Sequence, residues 1–243
     1  RHTLGLGYAV AFADLVLAPA TPSNTARSGG TIYPIVSNIP RLYGSEPGPT
    51  ARRIGTYVMW TAFAATAVTS SMFLTALAPN AAALGIAKKT VGIDVVWSQW
   101  FFGFAPLGIL LILLVPLLAY LLCRPEVKES PEITAWAANE LVAMGPMTRS
   151  EWIMFGLVLL AMLLWIVGGN PNISVPGLGS NFINATMVVF VVISLLLLTG
   201  VVEFADIIAE KSAWEVFFYF TSLLTLASGL SEIGFVKWVA EGF

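Results

Sequence analysis

The segment Ser23-Asn24-Thr25 combines two hydroxyl side chains with a carboxamide, and Arg27 follows two residues later. Together with the free N–H groups of a helix start, such side chains can bind a carboxylate, because a helix N-terminus carries partial positive charge. Through their oxygen atoms, the same groups can instead coordinate a sodium ion. Hydroxyl residues that follow Pro22 also suit a plain helix cap, so the residues leave three roles open.

Ionised side chains in the apolar stretches are the second candidate group. Arg27 is the most informative, because a charge at membrane depth is costly and is usually functional. A carboxylate partner or an anionic ligand would offset that cost, and snorkelling of the side chain to the interface is the alternative. Asp14 is a candidate for contact with a proton or a cation, or it pairs with backbone groups or an arginine. Asp94 is another candidate and is expected nearer the interface.

The sequence lacks the motifs of common enzyme classes. His2 is the only histidine, and no HExxH, GxSxG, P-loop or CxxC pattern occurs. Cys123 is the only cysteine, so one chain can form neither a disulfide nor a cysteine metal cluster. We therefore predict that the protein is not an enzyme and has no catalytic residue, no cofactor and no metal-ligand cluster. The net charge of −2 argues against nucleic acid as a partner.

The composition places these residues in a membrane. Hydrophobic residues make up 57% of the 243-residue chain and charged residues 11%, whereas soluble domains have roughly 25% charged residues. Long apolar runs predict an all-α polytopic membrane protein in contact with lipid. The predicted segments are a re-entrant hairpin 1–37, a cytoplasmic loop 38–53, a broken transmembrane helix 54–92, transmembrane helices 98–122, 151–168 and 185–202, a cytoplasmic segment 123–150 and the start of a second hairpin region 214–243.

Two interrupted elements are expected to build the site. The apolar arms 4–18 and 26–36 are each too short to span a bilayer, which predicts a re-entrant hairpin with a polar tip. Irregular backbone is tolerated at membrane depth only where it is buried in protein or lines a wet cavity, so the tip should face a site. Pro79 should break a second helix, and broken helices near the midplane are typical of transporter sites.

Positive charges predict the orientation of the chain. The loops 38–53 and 123–150 carry clusters of arginine and lysine, which are retained on the cytoplasmic side. The segment 131–148 has apolar residues at helical spacing and is expected to form an amphipathic helix on the membrane surface or a solvated loop helix. Because the chain opens at Arg1 inside an apolar segment, we expect it to be a piece of a longer protein.

The stretch 15–30, LVLAPATPSNTARSGG, resembles the Ser-Asn-Thr hairpin motif of the divalent-anion:sodium symporters, the dicarboxylate and citrate transporters. It has the form found in the citrate/succinate and 2-oxoglutarate/malate exchangers of that family. The stretch 69–80, TSSMFLTALAPN, resembles the family's paired unwound loop. This resemblance implies an inverted-repeat fold, usually a homodimer, in which a transport domain moves against a scaffold as an elevator.

The resemblance also implies roles for individual residues. Asn24 and Thr25 would contact a substrate carboxylate. Ser23 and Asn24, with the backbone near Ala76 and Leu77, would line the first cation site, which holds sodium if the protein is a symporter. With the charge of Arg27 added, the predicted substrate-binding residues are Ser23, Asn24, Thr25, Arg27, Ala78, Pro79 and Asn80.

The sequence departs from the symporter pattern in two places. Pro19 stands where a serine is expected, and Ala76-Leu77 replaces a Gly-Thr pair. Both changes remove oxygen ligands or backbone freedom from the sodium site. Together with the fixed charge of Arg27, they favour an exchanger that works without sodium. A second Ser-Asn-Thr-like motif, which an inverted repeat requires, does not occur by Phe243.

The resulting functional hypothesis is exchange of di- and tricarboxylate anions, such as citrate, succinate, malate and 2-oxoglutarate, by an elevator mechanism. A sodium-coupled dicarboxylate symporter is the nearest alternative. An anion channel or a non-transporting membrane scaffold is a further one, in which the broken helices are packing irregularities. A bacterial inner membrane is the expected location, with the plastid inner envelope as the alternative.

Overall fold

The computed structural model describes residues 2–93, 95–129, 131–168 and 185–242, so Asp94 and the loop 169–184 lie outside the described residues. Within those ranges the regular structure is helical, and the only strand-like pairing is an isolated bridge between His2 and Glu129. The α-helices are α1 Thr3–Leu17, α2 Tyr33–Val36, α3 Asn38–Leu42, α4 Gly55–Met72, α5 Ala78–Val91, α6 Trp97–Cys123, α7 Pro131–Met144, α8 Arg149–Gly168, α9 Ala185–Leu198, α10 Phe204–Ala209, α11 Lys211–Glu232 and α12 Phe235–Glu241. The predicted all-α class is confirmed.

Helices of membrane-spanning length and composition occur along the chain. Among the described residues they are Thr3–Ala20, Trp97–Cys123, Arg149–Gly168 and Ala213–Glu232. The first is longer than the predicted arm 4–18 because the 3-10 turn Ala18–Ala20 extends α1, so the prediction that this arm is too short to span a bilayer is wrong. Large apolar side chains project outward from them, as Leu122 of α6 does with 79% of its surface exposed. Such faces suit lipid rather than water, so the chain is a polytopic membrane protein.

Two compact units are distinguished along the chain, Arg1–Leu195 and Leu196–Phe243. In the first, α1, α4 and α6 pack against one another and form the core. In the second, α11 packs against α12, and the chain turns between them at Gly234, whose φ of +77° favours glycine.

Close approach of the core helices depends on two glycines. A Cβ added at Gly7 of α1 would lie 1.9 Å from the hydroxyl of Tyr57, which is buried and donates a hydrogen bond to the Leu4 carbonyl at 3.2 Å. A Cβ at Gly108 of α6 would lie 2.3 Å from Cγ of Met72. Small residues let backbones of membrane helices approach closely, and these two glycines do so against α4.

The hairpin is built from α1 and a π-helix. After α1 a 3-10 turn, Ala18–Ala20, leads into extended backbone at Thr21, and the chain then returns through the π-helix Thr25–Ile32 into α2. π-Helical backbone is rare and is frequent at functional sites. The polar tip predicted at Ser23-Asn24-Thr25 therefore lies where α1 ends and the π-helix begins.

The second interrupted element breaks just before the predicted proline. α4 ends at Met72, Phe73 and Leu77 are extended, and a 3-10 turn, Leu74–Ala76, lies between them. Pro79 lies in the first turn of α5, where its missing N–H was not needed. The break and the hairpin meet, because the Thr75 hydroxyl donates a hydrogen bond to the Pro19 carbonyl at 2.8 Å.

The arginine-rich loops lie together at one end of the first unit. The backbone N–H groups of Glu126 and Val127 donate to the carbonyls of Arg52 and Arg53 at 3.2 and 3.0 Å. The N–H of Thr3 donates to the Lys128 carbonyl at 2.9 Å, so the start of α1 lies at the same end. The two loops therefore lie at the same end of the first unit, and their cytoplasmic location stays a prediction.

Helix α7 forms within the segment predicted to be helical, and it is largely exposed. The Tyr43 hydroxyl, at the end of α3, donates a hydrogen bond to Glu132 of α7 at 2.7 Å. Burial, and then the neighbouring Glu132 carboxylate, raise the pKa of Tyr43 to about 12. The same hydrogen bond lowers the pKa of Glu132 below its ordinary value.

Candidate functional site

The guanidinium of Arg27 is the centre of the buried polar cluster at the hairpin tip. Arg27 has 0% of its surface exposed although it belongs to the π-helix that begins at the tip. Its Nε donates to Oδ1 of Asp14 at 3.0 Å, and the side chains of both residues are buried. Of the alternatives left open by the sequence, the structure therefore gives Arg27 a carboxylate partner from α1.

The remaining donors of Arg27 connect three further segments. Nη1 donates to the Thr21 carbonyl at 3.2 Å and to the Ala76 carbonyl at 3.4 Å. Nη2 donates to Oδ1 of Asn24 at 3.0 Å and to the hydroxyls of Thr69 and Ser70, each at 3.2 Å. A guanidinium has five N–H donors, two of them on Nη2, so one N–H of Nη2 is shared between two of these acceptors.

Helix α4 supplies the hydroxyl groups that complete the cluster. Thr66 donates to Oδ1 of Asp14 at 3.1 Å, and Thr69 donates to Oδ2 of the same carboxylate. The Ser70 hydroxyl lies within hydrogen-bond distance of both Oδ1 of Asn24, at 2.6 Å, and the Thr66 carbonyl. Residues three and four apart share one face of a helix, and the spacing of Thr66, Thr69 and Ser70 is the sequence signal that could have identified this face.

The predicted binding residues Ala78, Pro79 and Asn80 lie at the helix break and make their contacts there. Asn80 donates hydrogen bonds from Nδ2 to the carbonyls of Ser70 at 2.8 Å and Phe73 at 3.1 Å. These hydrogen bonds satisfy carbonyl groups at the end of α4, where the helix no longer supplies N–H partners. Ala78 and Pro79 form the first turn of α5. Near them, Trp97 of α6 donates to the Thr75 hydroxyl at 3.2 Å and packs on Phe73.

A cavity of about 510 Å³ opens between the π-helix and α4, beside the tip. Its polar wall includes Asn24 and Thr25 from the predicted set, and Ser28 and Thr66, which sequence reasoning missed. The other residues that line it are Gly29, Ile32, Tyr33, Val36, Met59, Ala62, Phe63 and Ala67. Arg27 is buried behind this wall, so its positive charge lies close to the cavity without exposure to it.

Two oxygens of the predicted cation site are directed at Arg27. Both the Ala76 carbonyl and Oδ1 of Asn24 accept hydrogen bonds from its guanidinium. Ser23, the third predicted member, accepts a hydrogen bond from the N–H of Ala26 at 3.3 Å, which is a local helix-start contact. The region therefore already holds a positive charge supplied by the chain.

Comparison with known proteins matches the whole chain. A family model described as the sodium:sulfate symporter transmembrane region matches residues 1–243. Proteins named L-tartrate/succinate antiporter from Shigella sonnei (strain Ss046) and Escherichia coli (strain K12) are each 47% identical to the chain over 242 residues. The alignment covers 99% of this chain and 47% of each relative, so the chain spans about half the length of the curated relatives it matches.

Proposed function

This chain belongs to the sodium:sulfate symporter transmembrane family, and we propose that the full-length protein exchanges dicarboxylate anions across a membrane. We propose further that this exchange needs no sodium. The family match also confirms the resemblance inferred from the Ser-Asn-Thr motif. The antiporters that are 47% identical to the chain are named for tartrate and succinate, which makes C4-dicarboxylates the first substrates to test, with citrate and 2-oxoglutarate as competitors. The bacterial sources of these relatives favour the inner membrane.

Arg27 carries the proposal of sodium independence. A sodium ion at the predicted site needs the Ala76 carbonyl and the Asn24 carboxamide oxygen turned toward it, yet both accept hydrogen bonds from the guanidinium. A cation placed among these oxygens would also be repelled by the positive charge of Arg27 at close range. The residues present therefore do not fit a sodium ion at this position.

The buried pair is expected to stay intact throughout the transport cycle. Removing one partner of a buried ion pair costs about 3–5 kcal/mol, because the other charge is left uncompensated. Arg27 is therefore a permanent part of the site behind the cavity wall, in place of a cation that binds and leaves, and its charge is balanced by Asp14. A doubly charged anion is attracted by the amides at the start of the π-helix.

Substrate is expected to enter the cavity beside the tip. Asn24 and Thr25 contribute polar groups to its wall, and one substrate carboxylate binds against them. Arg27 acts on the substrate indirectly, because its Nη2 donates a hydrogen bond to Oδ1 of Asn24 at 3.0 Å and so orients the Asn24 carboxamide. The second carboxylate would be bound by parts of the longer protein outside residues 1–243. We propose further that the full-length protein forms a homodimer and that its transport domain carries the substrate by an elevator movement.

Counterflow of labelled succinate into proteoliposomes tests the proposal. The full-length protein is reconstituted with internal L-tartrate or succinate in sodium-free choline buffer, and uptake is compared with and without internal dicarboxylate. We expect saturable uptake that requires the internal anion and is lost in Asn24→Ala. Asn38→Ala is the matched control, because Asn38 is exposed and its side chain donates, within the part of the chain that the structure describes, to the nearby Pro34 carbonyl at 3.0 Å.

Sodium-coupled symport is the second candidate, because the matching family model is described by sodium:sulfate symport. Uptake that is absent in choline buffer and restored by sodium would establish symport and overturn the proposed role of Arg27. Sulfate, added as an unlabelled competitor, tests the other half of that description. Uptake that neither saturates nor depends on internal anion would indicate a channel instead.

A further inference from the structure

Ser28 and Thr66 face each other across the polar end of the cavity. Ser28 lies on the π-helix three residues after Thr25, and Thr66 lies on α4. Their hydroxyl groups are in hydrogen-bond contact, and both residues line the same cavity as Asn24 and Thr25. Neither the predicted anion-binding role of the tip nor the predicted cation site uses this pair.

The direction of the hydrogen bond between them is fixed by Asp14. Thr66 has one hydroxyl proton and donates it to Oδ1 of Asp14 at 3.1 Å. Asp14 can only accept, because it is the carboxylate partner of Arg27. Thr66 must therefore accept in its contact with Ser28, and Ser28 must donate its own proton to Thr66.

Ser28 then has only acceptor capacity left for the cavity. Its single proton is used, whereas the second lone pair of Oγ remains, since a hydroxyl has one donor and two acceptor sites. An acceptor at this position can receive a hydrogen bond from a substrate O–H group. It cannot donate to a substrate carboxylate, and it disfavours one placed against it.

We propose that Ser28 is a specificity-determining residue that recognises a hydroxyl group on the carbon chain of a dicarboxylate. This inference rests on the proposed exchange function and adds the feature by which a hydroxydicarboxylate is distinguished from an unsubstituted one. Asn24 and Thr25 bind the carboxylate, and Ser28, three residues along the π-helix, accepts from the hydroxyl beside it. The chain of donors runs from the substrate through Ser28 and Thr66 to Asp14.

The test compares L-malate with succinate, which differ by one hydroxyl group. Inhibition constants of both unlabelled anions are measured against counterflow of labelled succinate by the full-length protein in proteoliposomes. In Ser28→Ala we expect the ratio of the malate constant to the succinate constant to rise by about three- to ten-fold, the worth of one neutral hydrogen bond. Ser28→Thr keeps the hydroxyl and should restore the ratio.

Ser71→Ala is the matched control. Ser71 is an exposed hydroxyl residue of α4 outside the cavity lining, and its hydroxyl donates a hydrogen bond to the Ala67 carbonyl of its own helix at 3.4 Å. If Ser28→Ala does not fold, Ser28→Cys carries the same expectation, because a thiol is a weak acceptor. A ratio that stays within about two-fold of wild type in the folded variant, or that shifts equally in Ser71→Ala, overturns the inference.

The two proposals fail in different ways. Absence of succinate counterflow by the wild-type protein would refute the proposed exchange function itself. Normal wild-type counterflow, with a malate-to-succinate ratio unaffected by Ser28, would refute only the role of Ser28 and leave exchange in place.

Discussion

At the scale of single residues, the pair of Arg27 and Asp14 determines how the hairpin tip is built. Both side chains are buried, and Nε of Arg27 lies 3.0 Å from Oδ1 of Asp14. The hydroxyls of Thr66 and Thr69 on α4 donate further hydrogen bonds to the same carboxylate. A buried pair need not stabilise a fold, because desolvation costs as much as attraction returns. Its effect appears when one partner is removed.

Removal of the Arg27 side chain leaves Asp14 without its charged partner. Arg27→Met should lower the free energy of unfolding by about 3–5 kcal/mol, because Asp14 is left charged and buried. The double variant Asp14→Asn/Arg27→Met should lose less than the sum of the single variants, since it carries no orphaned charge. Equilibrium unfolding of the detergent-solubilised protein measures all three.

An exposed ion pair is the control for this cycle. Lys237 and Glu241 lie 3.7 Å apart with side chains 81% and 68% exposed. Lys237→Ala should change the unfolding free energy by no more than about 0.5 kcal/mol. Additive losses at Arg27 and Asp14 would contradict the coupling described here.

At the scale of the helices, packing of α1 on α4 depends on Gly7. Gly7→Ala should destabilise the protein by about 1–3 kcal/mol, because the new Cβ overlaps the buried Tyr57 side chain. Gly5→Ala on the same helix is the matched control, because nothing lies within 4 Å of its Cβ position. The control should be neutral or gain up to about 1 kcal/mol from helix propensity. Thermal unfolding of both variants in one detergent tests the difference, and equal effects would contradict it.

The contact between α3 and α7 is a hydrogen bond from Tyr43 to Glu132 and depends on pH. Because the folded protein lowers the pKa of Glu132, the contact contributes stability above the ordinary carboxyl value of 4.5 and loses it as the pH falls through the lowered pKa. On the alkaline side the phenol keeps its proton until the pH approaches about 12. Hydrogen exchange of α7 peptides should therefore be faster in Tyr43→Phe than in wild type at pH 7.

The difference between those two proteins should shrink when exchange is measured under acidic conditions that protonate Glu132. Tyr219→Phe provides the control, because Tyr219 is an exposed tyrosine of α11. Equal protection of α7 in wild type and Tyr43→Phe at pH 7 would mean that the hydrogen bond does not hold this helix.

The interrupted helices could be predicted from the sequence because their signals are local. Two apolar arms around Ser23-Asn24-Thr25 indicate the hairpin, and Pro79 indicates the break to within a few residues. The partners of Arg27 could not be predicted, since Thr66 and Thr69 lie 52 and 55 residues from Asp14 in sequence. Local periodicity gives each helix a face but does not show which face another helix will contact.

At the scale of the whole molecule, the arginine-rich loops predict the orientation in the membrane. Glu46→Cys, made in a cysteine-free background of the full-length protein, should react with a membrane-impermeant maleimide in inside-out vesicles and not in intact cells. Glu46 is exposed in the loop 38–53, which makes it accessible to the reagent. A cysteine at Ile93, which lies after α5 and is 56% exposed, should show the opposite pattern. Labelling of Glu46→Cys from outside would reverse the assigned orientation.

The six contacts of Arg27 have a kinetic consequence. One side chain joins α1, the hairpin tip, α4 and the helix break, so the proposed elevator movement would carry these parts as one body. A pocket carried without change of shape has the same affinity on both faces. The proposed exchanger would therefore work equally well as an importer and as an exporter.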